Sequence, residues 1–386
     1  MKIGIACPVL IDTLKGYFEK IPEKCPMGMG GGGSNTLIEG LIESGHRVSI
    51  YTLDPSIIEP IRLEGERITL FMGKYRTPAR NRMKDFFYAE SEQIRSFIVQ
   101  DEPQIVQAHW SYEFAAGAIK SKIPHLITLH DAPLKILCIQ HDLYRLIRFF
   151  MHIWVMNNGS AFSAVSPYLI RQPFIRGKVT KITPNPIHRR FISKSHKKLD
   201  PKSVKLVSCL AGWGPIKNSK NALMAFRILR KRFGERISYT IYGHDFGPDE
   251  IAYKWAKKYN LLSGVNFKGY LLHNELMRQL GGYDIMLHPS REESFGLTLI
   301  EAMAFGLPVV AGRHSGAVPW VLQQGKCGEL VDVNSPEEIA NCLQGLIEDS
   351  EQYEQLSKNC LLNINERFSH EKIVQQYIQI YQEILI

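Results

Sequence analysis

HPSREESFGLTLIEAMAFGLPVVA, residues 288–311, decides the fold of this chain. An apolar strand ends near Pro289, a polar loop follows, and a helix begins at about Leu297. Gly306 ends this helix and Pro308 begins the next strand. A strand, a helix and a second strand in this order are typical of a βαβ unit, which carries its ligand loop at the carboxyl edge of a parallel sheet.

The same alternation extends along most of the chain and predicts an α/β protein with parallel sheets. At 386 residues the chain is too long for one hydrophobic core, so we expect two Rossmann-like domains, residues 1–185 and 186–370, with a linker near 184–202. From Ser335 onward the pattern predicts helices only, and the last helix, about 371–386, is expected to pack back on the first domain. The predicted strands are Lys2–Cys7, Arg47–Leu53, Ile105–His109, His125–His130, Ala161–Val165, Val204–Cys209, Ile237–Tyr242, Val265–Phe267, Ile285–His288, Pro308–Val310 and Glu329–Val331.

Composition excludes several classes of protein. Hydrophobic residues make up 45% of the chain and charged residues 22%, which is typical of a folded globular protein. The seven cysteines lie far apart without a CxxC pair, so we expect neither a disulfide framework nor a zinc site, and a reducing cytoplasm as the compartment. No stretch reaches about 18 consecutive apolar residues, so no membrane-spanning helix is predicted.

Positive charge is concentrated in the first half. The formal net charge is +9, and residues 1–190 contain 24 Lys and Arg against 17 Asp and Glu. Basic residues cluster between Lys74 and Lys84, and again at Arg145 and Arg148 beside Trp154. Such clusters fit either a solvated charged face or a contact with anionic lipid headgroups or a phosphorylated acceptor. Nucleic acid is not expected as a partner, because the chain lacks a recognition-helix, RNA-binding or zinc-finger signature.

The loop before Leu297 is suited to a diphosphate. The backbone amides of residues 294–297 would lie at a helix N-terminus, where unpaired N–H groups and the positive end of the helix dipole favour anions. Glu293 and Glu301 flank this turn. Their carboxylates would repel phosphate but would accept hydrogen bonds from sugar and ribose hydroxyls. The alternative is that Glu293 caps the helix and Glu301 is a solvated or ion-paired helix residue.

This segment resembles the signature of retaining glycosyltransferase family 4, whose members have the GT-B fold of two Rossmann-like domains with parallel sheets facing across a cleft. In that family two glutamates bracket seven residues within a Phe-Gly-Leu helix start and a Glu-Ala-Met-Ala helix. The resemblance implies that Glu293 is a catalytic residue that meets the donor sugar hydroxyls, and that Glu301 binds the ribose of the nucleotide. It also implies donor-binding roles for Ser294, Phe295, Gly296 and Leu297.

A second donor loop is expected in residues 209–220, CLAGWGPIKNSK. The corresponding family loop carries an arginine and then a lysine, which neutralise the donor diphosphate. Lys217 matches the lysine, whereas Trp213 stands where the arginine is expected; both are assigned to the donor site. Either another cation, Lys220 or Arg291, replaces the arginine, or the diphosphate is held by fewer charges.

A glycine run, MGMGGGGS at residues 27–34, precedes a helix that ends before His46. The family places a glycine turn here, and its backbone approaches the donor phosphates because no Cβ obstructs them. By this resemblance Gly32 and Gly33 are assigned to the donor site. A mobile loop that becomes ordered on donor binding is an equal alternative.

Two predicted strands end in histidine. His130, followed by Asp131, ends one of them, and His109 ends the strand before it. A histidine in this position can donate to a sugar hydroxyl near the reacting carbon or to a backbone carbonyl. By the resemblance His130 matches the catalytic histidine of the family, while His109 and Asp131 are expected to be acceptor or cleft residues.

Together these observations predict a retaining hexosyltransferase that moves a sugar from a nucleoside-diphosphate sugar to a hydroxyl of a glycan, a glycolipid or a small-molecule acceptor. Neither a metal nor a further cofactor is expected, because no DxD-type pair accompanies the donor loop. We expect polysaccharide or lipopolysaccharide assembly in the cytoplasm, with a peripheral contact of the basic first domain to the inner face of the membrane. The alternative is a non-catalytic nucleotide-sugar-binding scaffold protein, which the departure at Trp213 leaves open.

Overall fold

The computed structural model describes residues 1–179 and 181–386. These residues form two compact units: unit 1 contains residues 1–186 and 370–386, and unit 2 contains residues 187–369. Each unit has a sheet and a hydrophobic core of its own. None of the described helices combines the length and the apolar character that crossing a bilayer requires.

Unit 1 is built on one sheet, and its strands follow the buried apolar runs of the first half of the chain. In the described residues the order is β3-β4-β2-β1-β5-β6-β7-β8, and neighbours are parallel except for β3 and β4. The order therefore reverses at β1, between β2 and β5. The strands are β1 (Lys2–Ala6), β2 (Arg47–Asp54), β3 (Ile61–Glu64), β4 (Ile68–Lys74), β5 (Ile105–His109), β6 (His125–Leu129), β7 (Ala161–Ala164) and β8 (Lys181–Ile182).

Three strands of unit 1 were not predicted. β3 and β4 form an antiparallel hairpin on the edge of the sheet. β3 has four residues and β8 has two, so neither offers enough alternation to be recognised as a strand. β4 pairs in parallel with β2 and is mostly buried, and its run ITLFMGK could equally have belonged to a helix.

Helices cover the sheet of unit 1. Asp142 caps the longest helix of this group, because its side chain accepts a hydrogen bond from the backbone N–H of Arg145. The helices before the crossing to unit 2 are α1 (Ile11–Leu14), α2 (Gly32–Glu43), α3 (Ala79–Met83), α4 (Tyr88–Asp101), α5 (Glu113–Ser121), α6 (Pro133–Ile139), α7 (Leu143–Asn158) and α8 (Pro167–Ile170).

Unit 2 has a fully parallel sheet in its described residues, in the order β11-β10-β9-β12-β13-β14. The order reverses between β9 and β12, the position at which doubly wound sheets bind ligands. The strands are β9 (Val204–Cys209), β10 (Ile237–Tyr242), β11 (Val265–Gly269), β12 (Ile285–His288), β13 (Val309–Gly312) and β14 (Gly328–Val331). The helices are α9 (Ser219–Phe233), α10 (Ile251–Lys258), α11 (His273–Leu280), α12 (Leu297–Ala304), α13 (Val318–Val321), α14 (Pro336–Glu348) and α15 (Ser350–Asn363).

The last helix, α16 (His370–Leu385), belongs to unit 1. Val374, Tyr377 and Tyr381 are buried in the core of this unit. The hydroxyl of Tyr381 donates to the side chain of Gln107 on β5. Unit 1 is thus completed by residues from the far end of the chain.

Candidate functional site

The loops that follow β9 and β12 lie side by side at the reversal point of the unit 2 sheet. The backbone N–H of Arg291 donates to the carbonyl of Ile216 at 2.8 Å. The side chain of Asn218 donates to the carbonyl of Pro289 at 3.1 Å. These contacts bring the two predicted donor loops together at the carboxyl edge of the sheet.

The carboxylate of Glu293 is held by two side chains. Lys217 donates to its Oε1 atom at 2.6 Å, and Nε2 of His288 lies 3.2 Å from the same oxygen. Nδ1 of His288 is 3.3 Å from the hydroxyl of Thr298 in the first turn of α12. Burial would raise the pKa of Glu293, but Lys217 and His288 outweigh this and hold the pKa well below its usual range. Glu293 is therefore ionised at neutral pH.

The backbone of Glu293 is clamped from the other side. Ala317 donates its N–H to the carbonyl of Glu293 at 2.8 Å. Gly316 has φ of +61°, and a Cβ on it would lie 2.2 Å from the same carbonyl oxygen. Glycine is required here because the turn both needs a left-handed conformation and approaches Glu293 closely.

The first turn of α12 follows directly. Gly296 precedes Leu297 with φ of +87°, so the chain turns into the helix through a conformation that favours glycine. Phe295 is buried, and its ring centroid lies 5.6 Å from that of Phe368. This packing fixes residues 294–297, with Ser294 beside Glu293, as the start of a helix whose amide end can receive an anion.

Glu301 lies inside α12 and is 6% exposed. Its Oε1 atom is 2.7 Å from Nε2 of His273, at the start of α11. Neither His273 nor His288 was predicted from the sequence as a site residue. His288 ends a strand, as His109 and His130 were predicted to do, and that signal could have found it; no sequence signal distinguishes His273.

Trp213 packs against other aromatic side chains of unit 2. Its ring lies 5.4 Å from Trp255 and 5.9 Å from Phe246, and its backbone N–H donates to Asp245 at 3.0 Å. The ammonium of Lys220 lies over both tryptophan rings, 5.7 Å from Trp213 and 5.5 Å from Trp255. A lysine and an aromatic pair thus occupy the neighbourhood in which the family arginine was expected.

Arg291, the other candidate for a replacement cation, is hydrogen-bonded to the loop that follows β9 and to the loop that follows β14. Its Nε atom donates to Asn334 at 2.7 Å and its Nη1 atom donates to the carbonyl of Pro215 at 2.9 Å. These bonds direct the guanidinium to protein acceptors, so Lys220 is the better candidate for a ligand contact.

In unit 1, His109 and His130 form a pair. Nδ1 of His109 lies 2.7 Å from Nε2 of His130, and the ring of Trp110 lies 4.6 Å from that of His130. Burial lowers the pKa of His109 to about 3, and burial together with His109 lowers the pKa of His130 well below its usual value. Both rings are neutral at pH 7, and one donates its N–H to the other.

Asp131 lies in a group of polar side chains beside this pair. Tyr112 donates its hydroxyl to Oδ2 of Asp131 at 2.7 Å, and a guanidinium nitrogen of Arg148 lies 3.9 Å from the same oxygen. Burial raises the pKa of Asp131, while Arg148 and Tyr112 oppose the shift. Oδ1 of Asp131 and Nε2 of His109 are buried without a hydrogen-bond partner among the described residues. Polar atoms in this state are suited to a ligand hydroxyl.

The glycine run lies against the loop that follows β1. Gly31 has φ of +122°, and a Cβ on it would lie 2.2 Å from the carbonyl oxygen of Pro8. The N–H of Ile11 donates to the carbonyl of Met27 at 2.9 Å. Gly32 and Gly33 form the first turn of α2. The run is thus a hydrogen-bonded turn at the reversal point of the unit 1 sheet, and it leads into the amide end of α2.

Comparison with known proteins decides the family. A model described as "Glycosyltransferase Family 4" matches residues 34–173, and one described as "Glycosyl transferases group 1" matches residues 191–361. The chain belongs to the GT4-type glycosyltransferases of the GT-B fold. The sequence prediction of family and fold is therefore confirmed, and the protein is a transferase of the nucleotide-sugar-dependent class.

The relatives of this glycosyltransferase are distant. The N-acetyl-alpha-D-glucosaminyl L-malate synthase of Bacillus anthracis is 26% identical over 73% of this chain and 75% of its own length. The D-inositol 3-phosphate glycosyltransferase of Corynebacterium glutamicum strain R is 30% identical over 43% of this chain and 41% of its own.

Solved structures of other proteins share the fold of this chain. Sucrose-phosphate synthase from Thermosynechococcus elongatus superposes with a TM-score of 0.78 at 18% identity, covering 100% of this chain and 99% of that one. HepE of Anabaena, solved in complex with UDP, gives a TM-score of 0.70 at 18% identity, covering 99% of this chain and 100% of that one.

The predicted residues thus fall into two groups. Unit 2 brings together Lys217, Glu293 and the first turn of α12, and Glu301 lies farther along α12 beside His273. Unit 1 brings together His109, His130 and Asp131 after β5 and β6, and places Gly32 and Gly33 separately, at the start of α2.

Proposed function

We propose that this glycosyltransferase moves a sugar from a nucleoside-diphosphate sugar to a hydroxyl group of its acceptor, with retention at the anomeric carbon. The observation that carries the proposal is the position of Glu293, which is ionised and fixed between Lys217 and His288 beside the amide end of α12. A carboxylate held in this way accepts hydroxyl groups of a sugar, while the cation and the helix end next to it attract phosphate.

Each part of the donor is assigned to residues of unit 2. The diphosphate lies against the amides of residues 294–297, with Lys217 and Lys220 as the cations. The ribose hydroxyls bond to Glu301, which His273 holds at 2.7 Å. UDP is the nucleotide to test first, because the structural neighbour HepE is described in complexes with UDP and with UDP-glucose.

The transfer step depends on stabilising the diphosphate that leaves the donor. The bond from the anomeric carbon to the diphosphate breaks, and the acceptor oxygen forms its bond on the face that the diphosphate vacates. The acceptor hydroxyl proton passes to an oxygen of the departing phosphate. Lys217 and the α12 amides stabilise the negative charge that develops on the diphosphate, so no metal ion is needed for this role.

The acceptor is assigned to unit 1. His130 would donate to a hydroxyl of the reacting sugar, and Asp131, with its unpartnered Oδ1 atom, would accept a hydroxyl of the acceptor. A glycan, a glycolipid or a polar small molecule offers hydroxyls of this kind.

Thermal unfolding in the presence of nucleotides tests the donor assignment. We expect UDP or a UDP-sugar, at about 100 times its Kd, to stabilise the protein by about 2.7 kcal/mol. Glu301→Gln should remove most of this stabilisation because it replaces the carboxylate that binds ribose. Glu351→Gln, an exposed acidic position at the start of α15, is the matched control and should leave the stabilisation unchanged.

Turnover of a nucleotide-sugar donor distinguishes the proposed transferase from a non-catalytic scaffold protein. Release of the corresponding nucleoside diphosphate from UDP-glucose, UDP-N-acetylglucosamine or another nucleotide sugar in the presence of acceptor supports transfer. Protection by a nucleotide without turnover of any donor would instead fit the non-catalytic scaffold. No protection by UDP, GDP or ADP would contradict the donor site itself.

A further inference from the structure

Helix α7 carries an apolar stripe on its solvent side. Leu143, Leu146, Phe150 and Trp154 are 61%, 37%, 53% and 40% exposed. Their spacing of three and four residues places them on one face of the helix. The buried residues of α7, Met151, His152, Val155 and Met156, lie on the opposite face. The helix is therefore apolar on two sides, of which the core covers one.

Positive charge surrounds this stripe. No acidic residue occurs between Leu143 and Val179, whereas five basic residues do. Arg148 is used inside unit 1 and Arg145 pairs with Asp142 at 3.2 Å, whereas Arg171 and Arg176 are exposed. Phe149 contacts Phe174 with ring centroids 5.5 Å apart, so the segment that carries Arg171 and Arg176 lies next to α7.

A cavity of about 400 Å³ opens at the same place. Phe150 and Trp154 of the stripe form part of its wall together with Phe86, Tyr88, Met151 and Val155. Its wall is mainly apolar, and its charged members are Lys120 and Asp85. Phe86 and Tyr88 are themselves 59% and 58% exposed. The apolar surface thus continues from the stripe into a recess.

We propose that this surface, the α7 stripe with its cations and its cavity, lies on an anionic phospholipid bilayer. α7 would lie parallel to the membrane plane with Leu143, Leu146, Phe150 and Trp154 at the boundary between headgroups and acyl chains. Arg171 and Arg176 would meet phosphate and other anionic headgroups, and the cavity would receive one acyl chain.

The charge and the residue types of this surface favour a bilayer as its binding partner. Large aromatic side chains flanked by arginine are favoured where an apolar phase meets water, because the ring is buried while the cation stays hydrated. No acidic residue lies between 143 and 179, and the nearby carboxylates of Asp142 and Asp85 are paired with Arg145 and Arg76, so little repulsion of anionic lipid remains. A recess of apolar side chains that opens on such a stripe accommodates a hydrocarbon chain without leaving polar groups unpaired.

The proposal goes beyond sugar transfer, since lipid binding needs no nucleotide sugar. One consequence rests on the proposed function. Arg148 of α7 contacts Asp131, so the bilayer would hold the candidate acceptor residues near a hydroxyl carried by a membrane lipid.

Flotation of the full chain with vesicles tests the proposal. We expect strong binding to vesicles of phosphatidylcholine with about 30% phosphatidylglycerol and weak binding to phosphatidylcholine alone, with a difference of about fivefold for each cation engaged. Phe150→Ser combined with Trp154→Ser should weaken binding to the anionic vesicles at least tenfold, roughly the loss from leaving one large apolar side chain unburied. Arg171→Gln should weaken it about fivefold.

The matched control is Ile251→Ser combined with Tyr259→Ser. These residues are 53% and 48% exposed in unit 2 and carry the same kind of change outside the α7 stripe. Circular dichroism melts of all variants check that they fold. Equal binding to neutral and anionic vesicles, no binding to either, or an equal loss in the control variant would overturn the proposal.

Two further measurements separate lipid from a second copy of the chain. A fluorophore on Cys138, an exposed thiol of α6, should shift to the blue on adding anionic vesicles, in a Cys25→Ser, Cys342→Ser background. Sedimentation velocity without lipid should give a monomer. A dimer that the Phe150→Ser, Trp154→Ser variant converts to monomer would show that another copy covers the stripe, and would overturn the proposal.

Discussion

The ammonium group of Lys217 lies 2.6 Å from a carboxylate oxygen of Glu293, although the two residues are 76 positions apart in the chain. The pair joins the two donor loops, and both side chains are largely buried, with exposed fractions of 22% and 13%. The cation that we propose for the diphosphate and the carboxylate that we propose for sugar hydroxyls are therefore held at one point. Their mutual attraction also keeps the loops together before any ligand arrives.

Replacement of Lys217 is expected to impair catalysis more than binding. Lys217→Ala should lower kcat by about 10²–10³-fold, because it removes a charge that stabilises the departing diphosphate. Lys217→Arg should recover part of this loss. Steady-state kinetics with the donor varied would measure both, with Lys257→Ala on the exposed face of α10 as the control. Equal kinetics for Lys217→Ala and the control would contradict the role.

The same pair predicts a change in pH dependence. In the native protein Lys217 and His288 hold the pKa of Glu293 low, so Glu293 is ionised above its usual value of 4.5 and its contribution to stability is lost only as pH falls below that value. In Lys217→Met, burial is no longer opposed by the lysine and the pKa rises. As the pH is lowered, the kcat/KM of this variant should therefore begin to fall at a higher pH than that of the native enzyme. A flat profile for the variant would show that Glu293 does not have to be ionised.

Lys220 and Arg291 are predicted to differ. Lys220→Ala should weaken UDP binding about tenfold with little effect on stability, because its ammonium lies over the rings of Trp213 and Trp255 at the protein surface. Arg291→Ala should lower the melting temperature instead, since its guanidinium joins Asn334 to Pro215. Calorimetric titration of UDP and thermal melts distinguish the two, and the reverse pattern would reassign the replacement cation to Arg291.

Gly316 is predicted to be irreplaceable at the site. Gly316→Ala should cost about 1–3 kcal/mol of stability and most of the activity, because the new Cβ needs a left-handed conformation and would press on the carbonyl of Glu293. Gly345→Ala is the control. That residue is exposed in the last turn of α14 with open space around it, so alanine should stabilise the protein by up to about 1 kcal/mol. Urea unfolding and an activity assay would measure both; a neutral Gly316→Ala would refute the clamp.

His109 should make the stability of unit 1 depend on pH. Burial lowers its pKa from 6.5 to about 3, so it stays neutral in the folded state while the unfolded chain takes up a proton below pH 6.5. Stability contributed by this residue is present above pH 6.5 and is lost at up to about 1.4 kcal/mol per pH unit as the pH falls toward 3. His109→Gln should therefore flatten the curve of unfolding free energy between pH 6.5 and 4.5. His314→Gln, in unit 2, should leave it unchanged.

Much of the fold could be read from the sequence because its signals are local. The strands of unit 2 were predicted within two residues, since each is an apolar run bounded by turn residues. β3 was missed because a four-residue edge strand carries little periodicity, and β4 was missed because its apolar run fits a helix equally well. The turn into the helix at residues 293–297 was predicted because every residue that forms it is adjacent in the chain, and its role in donor binding stays a prediction.

The sequence by itself determined the alternation of strands and helices, the family signature and the identity of Glu293, Lys217 and His130 as candidates. Only the tertiary structure decided that Lys217 and His288 share one oxygen of Glu293, that His273 holds Glu301, and that His109 pairs with His130. It also decided that α7 turns an apolar stripe to solvent. Periodicity reports how neighbouring residues are arranged within one element, whereas these contacts depend on the order of the strands and the paths of the loops, which bring distant residues to the same edge of a sheet.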